Sequence, residues 1–160
     1  MITENKGVVT GILIAATLWF FMFSPWTAPM INFWGAMTFS AVILTCVSRW
    51  LCPEMFKELR FGGKQIVLGF AIAFVLWWVF WIGDKMSQLI FNFARPQVDM
   101  IYSMGNGTSS VIIAILLLLI IGPAEEIFWR GFVQRRLMLR FGSNIGFIAA
   151  TVCYALVHIW

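Results

Sequence analysis

The sequence predicts an all-α, polytopic transmembrane helical bundle, and three observations lead to this fold class. Hydrophobic residues make up 61% of the 160 residues and charged residues only 11%, whereas about 25% charged is usual in soluble domains. The apolar residues fall into five runs that are too long and too apolar for the core helices of so small a soluble protein. None of the runs alternates apolar with polar residues, which excludes the strands of a membrane barrel.

Five spans in a single membrane domain, residues 1–160, account for these runs. The first, residues 8–23, is not a signal peptide, because Glu4 lies beside Lys6 in the segment before it and four more apolar runs follow. The spans are predicted at residues 8–23, 31–48, 66–82, 111–139 and 144–160. Cys46, Cys52 and Cys153 have neither metal-ligand nor disulfide spacing, and we expect them to be packing thiols.

The distribution of Lys and Arg predicts the orientation. Basic residues cluster in the segments that this topology places on one side, so the N-terminus is expected to be cytoplasmic. That side receives nine basic residues and the other only two: Lys6, Arg49, Lys57, Arg60, Lys64, Arg130, Arg135, Arg136 and Arg140 against Lys85 and Arg95. The ratio is eight against two if Arg130 lies within the membrane. The net charge of +4 is therefore a topology signal and predicts no nucleic acid partner. A bacterial inner membrane is the expected location, and the external loop 83–110 is expected to be the most mobile part.

The fourth span carries ionisable residues where lipid-soluble ones are required. The apolar run Val111 to Ile121 is 11 residues long, whereas a helix needs roughly 20 to cross a bilayer. The span must therefore continue through Glu125, Glu126 and Arg130. Each such residue costs about 2.5 to 3.5 kcal/mol or more inside a membrane, so they are usually paired, inward-facing and functional.

Helical spacing organises these residues and those of the fifth span. Glu126 and Arg130 are i,i+4 with the acid first, which favours an ion pair, and Glu125 points about 100° away from it. The only histidine, His158, lies i,i+4 from Tyr154. Glu125 and His158 are equally far in sequence from the turn that separates the two spans, about 25 Å along each helix. We therefore expect them to meet at one depth, where a carboxylate and an imidazole sharing a water would form a general-base device.

Simpler interpretations remain open at this point. Two glutamates near the end of a span are compatible with a solvated interfacial turn, although the preceding run is too short for that. A single histidine on an apolar helix is more often a structural hydrogen-bonding residue than a catalyst. A proton-coupled transporter fragment with Glu125 as carrier is a weaker alternative, because no inverted repeat or broken helix pair accompanies it.

At these residues the sequence resembles the CAAX-protease and bacteriocin-processing family of intramembrane endopeptidases, also called the ABI family. The family's motif Glu-Glu-x-x-x-Arg is present as Glu125-Glu126-Ile127-Phe128-Trp129-Arg130. Its Phe-x-x-x-His motif is represented by Tyr154-Ala155-Leu156-Val157-His158, with tyrosine in place of phenylalanine. The resemblance covers residues 111–160, which would form a partial catalytic core.

The resemblance implies an endopeptidase that hydrolyses a peptide bond of a membrane-embedded or lipidated substrate. Glu125 would activate water and His158 would help to hold it, while Glu126, Arg130 and Tyr154 would orient the site. Family members are often labelled metalloproteases, which would imply zinc. One histidine and two acids fall short of the usual three protein ligands with an open position, so we expect no cofactor.

The sequence departs from the family pattern in one respect. The family's third motif, His-x-x-x-Asn or Asp, is absent, since the sequence stops two residues after His158. We therefore expect a truncated member with an incomplete active site. The alternative is a non-catalytic membrane protein that confers bacteriocin immunity or scaffolds a partner on the same fold.

Overall fold

The computed structural model describes residues 2–59, 62–93, 95–96, 99 and 107–159, with the side chains of residues 2–6 left aside. All regular structure in this part of the chain is helical, which confirms the predicted fold class. The helices are α1 (Ile2–Phe23), α2 (Phe33–Leu51), α3 (Pro53–Glu58), α4 (Gly63–Ile90), α5 (Ser110–Phe141) and α6 (Ser143–Val157), with a 3₁₀ turn at Ala28–Met30. The chain divides into two compact units, Met1–Glu58 with Thr108–Trp160, and Leu59–Gly107.

The first unit packs α1, α2, α5 and α6 around one apolar core. Trp19, Leu44, Phe128, Phe132 and Val133 are at most 1% exposed, and all belong to this core. They come from α1, α2 and α5, so burying them requires these three helices to pack together. Full burial of one such side chain contributes about 1.5 to 3 kcal/mol.

Helix α5 contains two wide, π-helical segments. They cover Leu117–Ile121 and Glu126–Gln134, on either side of Gly122–Glu125. Gly122 donates its backbone N–H to the carbonyl of Leu117, five residues back, and Pro123 has no N–H to donate. A Cβ at Gly122 would lie 2.7 Å from that carbonyl oxygen, so the wide turn requires glycine here. Such segments are rare and frequently occur at functional sites.

A tight turn joins α5 to α6. Gly142 has φ +84°, a conformation that favours glycine, and its N–H bonds the carbonyl of Met138 at 3.0 Å. Four residues later the helices touch, since a Cβ on Gly146 would overlap the backbone of Met138 and Leu137. The turn and this contact fix the alignment of α6 along α5.

The short helix α3 is bound to the end of α5 by ion pairs. Both guanidinium nitrogens Nη1 and Nη2 of Arg135 donate to the Glu58 carboxylate at 2.8 Å, and Arg136 donates to Glu54 at 2.6 Å. The end of α2 and the end of α5 therefore lie on the same side of the bundle. This agrees with the predicted clustering of basic segments, while the cytoplasmic orientation stays a prediction.

The second unit, Leu59–Gly107, contains the long helix α4. Its helix α4 runs to Ile90, so the predicted loop 83–110 begins eight residues later than expected. Trp77 and Trp78 make a T-shaped ring contact at 5.0 Å, and Trp78 makes another with Trp81 at 5.6 Å. Residues 94, 97–98 and 100–106 of the predicted loop lie outside the described residues.

Each predicted span corresponds to a helix, but not all of them meet the length of a membrane crossing. Within the described chain, α2, α4 and α5 are long and apolar enough to span, whereas the apolar stretches Gly7–Phe23 and Ser143–Val157 are shorter. The count of five spans therefore stays a prediction. The helix bounds differ from the predicted spans by several residues at α1, α4 and α6. Helix α6 ends at Val157, so that His158 lies just beyond the helix, and the segment between α2 and α4 contains the short helix α3.

We expect Gly146→Ala to destabilise the bundle, because the added methyl group would collide with the backbone of α5. Overpacking of this kind costs about 1 to 3 kcal/mol. The matched control is Gly69→Ala in α4, where nothing lies within 4 Å of an added Cβ and helix propensity favours alanine. Thermal unfolding of the purified chain in detergent should show a lower Tm for Gly146→Ala only. Equal Tm values would contradict the close helix contact.

Acid should loosen the attachment of α3. The hydrogen bonds from Arg135 lower the pKa of Glu58 below its ordinary value of 4.5. A carboxyl whose pKa is lower in the folded state than in the unfolded chain stabilises the folded state at any pH above the unfolded-state pKa. This stabilisation is lost as the pH falls through the pKa of the folded state. The protection factor of the α3 amides, which is the intrinsic hydrogen-exchange rate at each pH divided by the observed rate, should therefore fall below pH 4.5. Glu58→Gln should show a low protection factor already at neutral pH, and a wild-type protection factor independent of pH in this range would contradict the ion pair.

Candidate active site

A cavity of about 320 Å³ lies between α5 and α6. Polar and aromatic side chains of both helices face it. Its lining residues are Glu125, Glu126, Trp129, Arg130 and Gln134 from α5 and Phe147, Ala150, Thr151 and Tyr154 from α6. The structure thus brings four of the five sequence-predicted site residues to one place, and the fifth, His158, is not in the lining.

Glu126 and Arg130 form the ion pair predicted from their spacing. Arg130 Nη1 donates to Glu126 Oε1 one helical turn away. The two side chains are 58% and 66% exposed, so the pair lies at the rim of the cavity. Because each charge has its partner, neither is available to neutralise a third group nearby.

Glu125 is the carboxylate that remains unpaired. Its side chain is half-buried and lines the same cavity. Among the described residues none donates a hydrogen bond to it or forms an ion pair with it. An isolated buried carboxylate is costly, so the cavity must supply polar contacts such as water.

Glu125 lies far from both ends of a helix that is long enough to cross a membrane. The helix has 32 residues, and Glu125 is close to its middle. Any stretch of roughly 20 residues that crosses the hydrocarbon layer must therefore include both Glu125 and Glu126. Because such a stretch can end as early as residue 129, a solvated interfacial turn, one of the simpler interpretations above, stays open.

Tyr154 connects the cavity to His158. Its ring packs edge-on against Trp129 at 5.3 Å and stacks on the imidazole at 4.2 Å between centroids. The aromatic residue predicted to lie on the histidine face therefore does so. Trp129 also reaches His158, with the two ring centroids 6.2 Å apart.

His158 lies at the C-terminal end of α6. Its backbone N–H bonds the carbonyl of Ala155 at 3.1 Å, and its Nδ1–H donates to the carbonyl of Tyr154 at 2.7 Å. Since a carbonyl can only accept, Nδ1 carries the proton, and the neutral ring keeps its lone pair on Nε2. Trp19 of α1 also contacts the imidazole, in a T-shaped arrangement with the ring centroids 5.1 Å apart.

No hydrogen bond joins Glu125 to His158 in the described structure. The expected meeting of the two at one depth stays a prediction; it assumed an α-helical rise, whereas α5 is π-helical from Glu126 to Gln134. Bonds to the fifth residue put more residues into each turn, so this segment advances less per residue than an α-helix. The α6 residues that share the cavity with Glu125 lie between Phe147 and Tyr154, nearer the turn than His158.

The described residues do not fit a metal centre. No three His, Cys, Asp or Glu side chains among them come together as ligands. Zinc sites use at least three protein ligands, which these residues do not supply.

Several lining residues were not predicted from the sequence. Trp129 is i,i+4 from Glu125, and Thr151 is three residues before Tyr154, so helical spacing could have identified both. Trp19 had no such signal, because it is distant in sequence and lies in an apolar run without polar neighbours.

Comparison with known proteins relates the second half of this unit to one family. Residues 107–160, about a third of the chain, match the sequence model of the type II CAAX prenyl endopeptidase Rce1-like family. No curated protein and no solved structure matches the chain significantly. The matched segment contains α5, α6 and every residue that lines the cavity, so this part of the chain is similar to type II CAAX prenyl endopeptidases.

Proposed function

We propose that the protein is an intramembrane endopeptidase of the CAAX prenyl type, in which Glu125 activates a water molecule. The observation that carries this proposal is the unpaired carboxylate of Glu125 in a cavity halfway along a membrane-length helix. The adjacent Glu126 is already paired with Arg130, so only one carboxylate is free to accept a proton. The similarity of residues 107–160 to CAAX prenyl endopeptidases supports the reaction class.

The reaction needs one proton acceptor near the water. The Glu125 carboxylate takes a proton from water while the water oxygen attacks the carbonyl carbon of the peptide bond. The same proton then passes to the nitrogen of the leaving amine as the C–N bond breaks. General base catalysis of this kind contributes about 10²- to 10⁴-fold.

The remaining residues orient this step. The Glu126–Arg130 ion pair fixes the rim beside Glu125, and Tyr154 lies between the cavity and His158. With its proton on Nδ1, His158 has a lone pair on Nε2 that can accept a hydrogen bond from the water. Catalytic hydrogen bonds are often long without substrate and tighten when it binds, which is the role we assign to His158.

The substrate must reach a site inside the membrane. The substrate is therefore a membrane-embedded or lipidated peptide, which the bilayer concentrates beside α5 and α6. An integral location in a bacterial inner membrane, with the N-terminus cytoplasmic, remains part of this proposal and rests on the basic-residue bias.

A non-catalytic role is the second candidate, and one observation favours it. His158 caps the end of α6 and does not line the cavity, as a purely structural histidine would. The bacteriocin immunity considered from the sequence has no support from the matched family and is not proposed.

Glu125→Gln tests the proposed function, because the amide keeps the shape of the side chain but cannot take the proton. In liposomes with a quenched fluorescent peptide carrying a farnesylated C-terminal cysteine motif, kcat should fall by about 10²- to 10⁴-fold. Asp99→Asn is the control, since it makes the same acid-to-amide change at an exposed residue of the second unit that does not line the cavity.

The outcome separates the two candidates. Full cleavage by Glu125→Gln would refute the assignment of the general base. Folded, membrane-inserted wild-type protein that cleaves neither the farnesylated nor the unmodified peptide would instead favour the non-catalytic role.

A further inference from the structure

The first helix contributes a side chain to the surroundings of His158. Trp19 of α1 is 1% exposed and is the largest fully buried side chain among the described residues. Its ring lies 5.1 Å from the imidazole at an interplanar angle of 72°, a T-shaped contact. Trp19 lies far outside residues 107–160, where the family match is confined.

His158 depends on packing for its orientation. It follows the last residue of α6, so the helix that carries it has already ended. The bond from Nδ1 to the Tyr154 carbonyl fixes one ring atom, and the stacked Tyr154 ring supports one face. Both contacts come from α6 itself. The contacts from other helices are the rings of Trp129 and Trp19.

We propose that Trp19 is a positioning residue, which holds the imidazole of His158 for the peptide hydrolysis proposed above. An effect of Trp19 on catalysis rests on the proposed function, whereas its effect on the orientation of His158 rests on the ring contact alone. It makes α1 part of the site, although the groups that face the water come from α5 and α6. Misplacement of a catalytic group by about 1 Å can cost about 100-fold in rate, so a support of this kind affects kcat.

The aromatic ring of Trp19 provides the support, and its N–H does not. The Nε1 atom is buried and has no hydrogen-bond partner among the described residues. A phenylalanine at this position keeps a flat ring against His158 and loses no hydrogen bond. A leucine fills much of the volume but removes the ring.

The single histidine of the chain allows a direct test by NMR. With ¹³C-labelled histidine, the full chain in lipid nanodiscs gives one Cε1–Hε1 signal, which ring currents of neighbouring aromatic residues shift. Trp19→Leu should move this signal and broaden it, whereas Trp19→Phe should leave it narrow. Trp34→Leu is the control, because Trp34 also has a buried Nε1 without a hydrogen-bond partner among the described residues. Its ring packs elsewhere, against Phe33 and a separate apolar cluster of Ala41, Ile121 and Ala124.

Kinetics of the farnesylated peptide complete the test. Trp19→Leu should lower kcat by about 10- to 100-fold with KM changed less than about twofold, and Trp19→Phe should recover most of kcat. An unchanged histidine signal in Trp19→Leu, or an equal change in Trp34→Leu, would overturn the contact. A shifted signal with undiminished kcat would overturn the positioning role.

The two proposals fail in different ways. If the wild-type chain hydrolyses no peptide, the proposed function fails and the positioning role fails with it, while the NMR result still decides whether Trp19 holds His158. If Glu125→Gln abolishes cleavage but Trp19→Leu does not, the function stands and the inference about Trp19 is wrong.

Discussion

The structure depends on how α5 carries charge through a membrane. Any crossing by this helix includes Glu125 and Glu126, and Arg130 follows one turn later. Pairing Glu126 with Arg130 compensates two of the three charges within the helix itself. The third, on Glu125, faces a cavity that α6 closes on its other side. The carboxylate of Glu125 needs polar surroundings because no side chain of the described residues pairs with it. The cavity can supply them, and Glu125 is the one unpaired carboxylate in its lining.

The α5–α6 hairpin sets the geometry of this space. Gly142 permits the turn, and Gly146 lets the two backbones touch, so the α6 residues from Phe147 to Tyr154 lie opposite Glu125. The π-helical segments of α5 change the depth at which each residue sits. Trp129 and Tyr154 then connect the cavity to His158, which lies at the end of α6 against Trp19. The proposed hydrolysis therefore draws on two neighbouring groups of residues, those that line the cavity and the aromatic cluster around His158.

Local patterns in the sequence predicted much of this arrangement. Composition indicated helices in a membrane, and helical spacing placed Glu126 with Arg130 and Tyr154 beside His158. The expected meeting of Glu125 and His158 at one depth stays a prediction; it assumed an α-helical rise, and the sequence pattern did not reveal the π-helical turns from Glu126 to Gln134. The packing of Trp19 on His158 is a contact between residues far apart in the chain, which no local pattern encodes.

Water in the cavity is the central claim, and spin labels on two neighbouring residues measure it most directly. Thr151 lines the cavity, while Val152 is exposed on another side of α6 and does not. In a cysteine-free background, Thr151→Cys and Val152→Cys would each carry a nitroxide in a bilayer prepared in deuterated water. The account predicts strong deuterium modulation at position 151 and a dry, oxygen-accessible label at position 152. Equal dryness at both positions would contradict a hydrated cavity around Glu125.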